Sequence, residues 1–136
     1  MNAPDNHTPD AFVLSLLGQL GITANYKGYF ITGYAVLLAL DDPQRLTAVT
    51  KLLYPTVARH FGIAPCSVER NIRTVVSIAA LTNPELLRNL LGPGTQKIPS
   101  SGTFIAALAA HCAQAYPSVW APLLCVNQSL FEPNRS

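Results

Sequence analysis

The residues best placed to do chemistry lie in one stretch, 54–73, which reads YPTVARHFGIAPCSVERNIR. Its spacing is that of a helix-turn-helix: apolar Val57, small Ala58, apolar Phe61, Gly62 at the turn, Ile63, then Val68 and Ile72 on the second helix. Each position has a physical reason. Ala58 is small because the second helix crosses close to it, and Gly62 takes a left-handed conformation that side chains resist. Val68 and Ile72 clamp the second helix onto the first. At about 100° per residue, with Val68 set at zero, Ile72, Val75, Val76 and Ala79 fall within about 80° of it. Arg70, Arg73, Thr74 and Ser77 fall opposite, and Ser67 to one side. That outward face carries two guanidinium forks and three hydroxyls, groups that hydrogen-bond guanine edges and phosphates in a major groove. Glu69 lies between the faces, where it can accept from a cytosine amine or orient an arginine. Lys51 and Arg59 are the cations expected near the nucleic-acid backbone.

Other chemistry finds less support. Cys66 lies near a helix N-terminus, where the dipole lowers a thiol pKa, yet no histidine is tied to it by a recognisable motif. His7, His60 and His111 share no ligand spacing, so no metal site is expected, and His60 is placed at a helix C-terminus among free carbonyls. There is no glycine-rich phosphate loop, no GxSxG and no paired-carboxylate arrangement, so neither an enzyme nor a cofactor is expected. Asp41-Asp42 reads as a helix cap. Cys66, Cys112 and Cys125 are an odd number without CxxC or CxxH spacing. That argues against a disulfide framework and a structural zinc, and fits a reducing cytoplasm.

The elements that must position these residues are all helical. Residues 1–9 read as a polar tail. Phe12, Val13, Leu16, Leu17 and Leu20 recur at helical spacing, and Gly21 closes that helix. Residues 29–40 form a second helix, apolar nearly all round and so central to the core. Asp41-Asp42-Pro43 stops it and starts the next, with an aspartate cap and a proline at the first helical position. A third helical region, 44–61, contains Pro55 and is kinked or divided at Tyr54-Pro55. A fourth helix covers 65–81, and Pro84 restarts a short one over 85–91. Residues 92–102 are a loop, 103–116 an alanine-rich helix ended by Pro117, and 117–136 a proline-rich tail with Trp120, Leu123, Leu124 and Phe131. The expected architecture is an all-α bundle of about six helices over residues 10–116.

Length and composition bound the partners. The 136 residues suit one domain, and 49% hydrophobic against 12% charged is enough to bury a core. The longest apolar runs fall short of the roughly 18–20 residues a membrane helix needs, so no membrane partner is expected. The start is polar and acidic, without the basic flank of a secretory signal. Net charge is only +2, but residues 45–73 carry Arg45, Lys51, Arg59, Arg70 and Arg73 against Glu69 alone. The basic excess therefore coincides with the helix-turn-helix, which favours double-stranded DNA.

In this arrangement the chain resembles the C-terminal DNA-binding effector domain of the stage-zero sporulation response regulator of endospore-forming Firmicutes. The resemblance rests on Leu20-Gly21-Ile22, Lys27-Gly28-Tyr29, Thr50-Lys51-Leu52-Leu53-Tyr54-Pro55, Val57-Ala58-Arg59, Val68-Glu69-Arg70 with Ile72-Arg73, and Phe104-Ile105-Ala106. These run in order over residues 10–116. The resemblance implies a compact bundle of about six helices whose third and fourth form the helix-turn-helix. It also implies a fourth helix reading a short DNA box, domains aligned in tandem on repeated boxes, and a following region that contacts RNA polymerase sigma factors. Glu69, Arg70 and Arg73 match the family's recognition-helix pattern.

Departures accompany the match. Ser67 stands where the family usually has an arginine and Thr74 where a histidine is common, which weakens binding or changes the preferred box. Residues 81–92 keep only a leucine-glycine echo of the region that meets sigma factors. Full-length members place a phosphate-accepting receiver domain ahead of this module, and nine polar residues cannot supply one. Phosphorylation-controlled dimerisation is therefore not expected of the chain as given. The alternative function is a helical protein-interaction module that keeps the fold without specific DNA binding, favoured by the low overall charge, Ser67 and the apolar tail.

Overall fold

In the computed structural model, residues 9–92 and 98–115 are described, and within them the chain forms six α-helices and no strand. They are α1 (Pro9–Gln19), α2 (Lys27–Asp41), α3 (Tyr54–Phe61), α4 (Pro65–Thr82), α5 (Pro84–Leu91) and α6 (Ser101–Ala115). Pro9, expected as the last residue of the N-terminal tail, opens α1; the rest of the expected tails, with Trp120, Leu123, Leu124, Cys125 and Phe131, lies outside the described residues.

The apolar helix is the hub. α2 buries Ile31, Ala35, Val36, Ala39 and Leu40 and packs against α1, α4 and α6. Such a segment has no polar stripe to show to water, so neighbours must cover it on several sides. α1 contributes Val13, Leu16 and Leu17, with Leu20 just past its end, and α6 contributes Phe104, Ile105, Leu108 and Cys112. Where α2 begins, Gly28 lets α4 come close: a β-carbon there would stand 2.5 Å from Val75 Cγ2 and 2.9 Å from the Asn71 carbonyl oxygen.

Local chemistry sets the boundaries. Asp42 Oδ1 accepts from the Gln44 amide at 3.1 Å with Pro43 next in line, the cap and restart read in the sequence. The segment between this cap and Phe61 is not one kinked helix. A 3-10 turn over Pro43–Thr47 and a π-helical turn over Val49–Leu53 precede α3, separated by Ala48 at φ −154°. Pro55 falls in the first turn of α3, where its missing N–H leaves no intrahelical bond unmade. Asn83 opens α5 by accepting from the Leu86 amide at 3.2 Å, and its Nδ2 donates to the Gln19 carbonyl at 2.9 Å, tying α5 to the end of α1.

α6 starts at Ser101, two residues ahead of the expected boundary. The Ser100 hydroxyl accepts from the Thr103 amide at 3.2 Å while its carbonyl accepts from Phe104 at 2.9 Å. That is a serine cap inside what reads as loop.

Candidate nucleic-acid interface

α3 and α4 form the helix-turn-helix. Val57 and Ala58 on α3 are buried, as are Val68, Ile72, Val75, Val76 and Ala79 on α4. Gly62 joins the two helices at φ 69°, ψ 36°, the left-handed conformation. Its amide and that of Ile63 both turn back to the Ala58 carbonyl, satisfying the end of α3. A β-carbon at Gly62 would meet nothing within 4 Å. The demand for glycine is thus purely conformational, and the buried seam of α4 leaves its opposite face free.

That face carries Arg70, Arg73, Thr74 and Ser77, all exposed, with Ser67 and Glu69 half-buried beside it. Thr74 Oγ1 donates to the Arg70 carbonyl at 3.1 Å, and Ser77 Oγ to the Arg73 carbonyl at 3.2 Å. Helical serine and threonine commonly return their proton to the preceding turn in this way. These hydroxyls therefore present lone pairs outward and act as acceptors, whereas phosphate recognition needs donors. Asn71 donates to the Ser67 carbonyl at 2.7 Å.

The two arginines differ. Arg70 has no ion pair among the described residues, while Arg73 is held by Glu69 one turn earlier, which raises its pKa by hydrogen bonding and by charge. Lys51, just before α3, and Arg59, in its last turn, are exposed and unpaired within the described residues. Arg45 is committed elsewhere: its guanidinium donates to the Leu38 carbonyl at 2.7 Å and pairs with Asp41 at 3.4 Å. The basic segment thus offers Lys51, Arg59 and Arg70 as free cations and Arg73 as an oriented one.

Two participants escaped the sequence reading. Ser101, read as loop, is buried and donates to Glu69 Oε2 at 3.2 Å. Tyr54, read as part of a helix break, is buried beside this group. Burial first, then the Glu69 carboxylate, raises its phenol pKa, against opposing effects of the Ser101 hydroxyl and Arg73. The signal for Ser101 was the Ser100-Ser101 pair just ahead of an apolar helical run.

Other candidates separate from this face. His60 lies in the last turn of α3 as expected, its ring stacked on Tyr34 at 4.1 Å. Phe30, Tyr34, Leu37, His60 and Phe61 line a groove of about 360 Å³ that is distinct from the α4 face. Cys66 is exposed in the first turn of α4, and Cys112 is buried, its thiol pushed up to about 12 by desolvation. Among the described residues no cluster of three or more His, Cys, Asp or Glu is arranged to hold a metal ion, and no helix is long and apolar enough to cross a membrane.

Comparison with known families decides the assignment. The family described as Sporulation initiation factor Spo0A C terminal matches residues 13–112. The chain belongs to this family. The match runs from within α1 through most of α6 and includes the whole helix-turn-helix. The family is one of DNA-binding regulatory domains, not of enzymes, so the chain is a DNA-binding effector domain of the sporulation-regulator type.

Proposed function

We propose that this chain reads a short box in double-stranded DNA by laying α4 in the major groove. The observation that carries the reading is the division of α4: Val68, Ile72, Val75, Val76 and Ala79 are buried while Arg70 and Arg73 stand exposed on the other side. Arg70 is the primary base reader, since an unpaired guanidinium offers a two-pronged donor to guanine O6 and N7. Arg73 acts beside it in a direction set by Glu69. Ser67, Thr74 and Ser77 are secondary groove contacts, and Lys51 and Arg59 neutralise phosphates. Val57, Ala58, Gly62, Val68 and Ile72 hold the geometry and touch no base.

The test is fluorescence-anisotropy binding to a family-type box and to a scrambled duplex, at two salt concentrations, for wild type and Arg70→Ala. Preference for the box in the wild type, with a loss of about 1–3 kcal/mol and relaxed preference in the variant, is the expected outcome. Equal affinity for both duplexes with equal salt dependence reduces the interaction to charge attraction. A second reading, a protein-interaction module, draws on apolar side chains left in solvent, Leu81 at 86% exposure and Phe30 at 49%. Absence of any duplex binding would transfer the function to that reading.

A further inference from the structure

Ser101 is the first residue of α6, outside the helix-turn-helix, with only 6% of its surface exposed. Its hydroxyl nevertheless reaches across 32 residues of sequence to donate to Glu69 Oε2. The other carboxylate oxygen, Oε1, accepts from Arg73. By itself, an ion pair one helical turn apart in solvent holds its partners loosely. Arg73 is 66% exposed at its side chain and would swing freely in such a pair. A carboxylate whose second oxygen is fixed by a buried hydroxyl has lost that rotational freedom, and it presents its remaining oxygen in one direction. The buried Tyr54 phenol beside Ser101 and Glu69 closes the group from the α3 side.

We propose that Ser101 is a positioning residue for DNA recognition: through Glu69 it aims the Arg73 guanidinium, so that the start of α6 helps set sequence preference. Glu69 on this account is an orienter, with both oxygens engaged inside the protein, and it does not accept from a base. The inference rests on the DNA-reading role proposed for α4, so its test needs one readout with DNA and one without.

The DNA-free readout is the Arg73 side-chain Nε–H signal in the nuclear magnetic resonance spectrum of the whole chain, followed by its heteronuclear relaxation. Wild type and Ser101→Thr, which keeps the hydroxyl, are expected to show an ordered Arg73. In Ser101→Ala the signal is expected to move toward that of a freely rotating arginine. In the anisotropy assay, Ser101→Ala is expected to lose about three- to tenfold of its discrimination between box and scrambled duplex, the range of one hydrogen bond. Its affinity for the scrambled duplex and its salt dependence stay as in wild type, and Ser101→Thr restores the discrimination. An unchanged Arg73 signal in Ser101→Ala overturns the proposal, even if the thermal midpoint drops, because the hydroxyl would then serve only stability. Undiminished discrimination in that variant overturns it as well. A loosened Arg73 in a protein whose wild type shows no box preference upholds the link from Ser101 to Arg73 and removes the DNA-reading role instead.

Discussion

Residues of one type do different work here because their neighbours differ. Arg45, Arg70 and Arg73 all add to the same basic stretch, yet one is spent on a carbonyl and Asp41, one has no ion pair among the described residues and one is paired with Glu69. Cations that meet only phosphates act without regard to base sequence. Lys51→Ala and Arg59→Ala are therefore expected to weaken binding to box and scrambled duplex equally, each lowering the logarithmic salt slope by about 1, as measured by salt titration. Away from the interface, Thr32 is fully buried in α2 and its Oγ1 has no hydrogen-bond partner among the described residues. A buried hydroxyl without a partner costs its desolvation, and valine has nearly the same shape. Thr32→Val is expected to raise stability by about 1 kcal/mol in urea unfolding.

At the scale of elements, the helix-turn-helix is held by one backbone conformation and one close approach. Gly62→Ala forces a β-carbon into the left-handed region without touching any neighbour, an expected loss of about 1–2 kcal/mol. Gly28→Ala fails for the opposite reason, since its β-carbon would press on Val75 and the Asn71 backbone of α4. Overpacking there is expected to cost about 1–3 kcal/mol and to shift α4. Urea midpoints measure both, and Gly62→Asn, which tolerates the left-handed region, should recover part of the first loss. The helices themselves were legible wherever one signal dominated. The seam of α4 follows from the spacing of Val68, Ile72, Val75, Val76 and Ala79, and the stop at Asp42 from a cap followed by proline. The segment before α3 was not legible, because one proline inside a helical pattern is compatible with a kink, a break or a change of helix type.

For the whole molecule, the core links stability to alkaline pH. Cys112 is buried on α6, and desolvation lifts its thiol from 9.0 to about 12. The unfolded chain releases that proton first, so the stabilisation is complete below about pH 9 and is lost as pH rises toward about 12. The raised phenol of Tyr54 adds in the same direction above its ordinary 10.0. Urea unfolding over pH 8 to 11 is expected to show a steep alkaline loss that Cys112→Ala makes shallower, with pH values chosen as roughly bracketing the thiol's ordinary titration.

Periodicity, caps and turn residues are local properties, and they were enough to specify an all-α chain, the helix-turn-helix and the outward face of α4. Each is decided by residues within a turn or two of one another, so the order of the residues alone contains it. Contacts within two turns also withdraw Arg45 from the basic face and turn the hydroxyls of Thr74 and Ser77 back to the backbone, but only the tertiary structure decided what meets Glu69 from other helices. It alone brought Ser101 and Tyr54 to Glu69. Ser101 and Glu69 are 32 positions apart, and no local pattern ties them. Their meeting depends on where α6 packs against α4, which is set by the shared burial of both helices around α2.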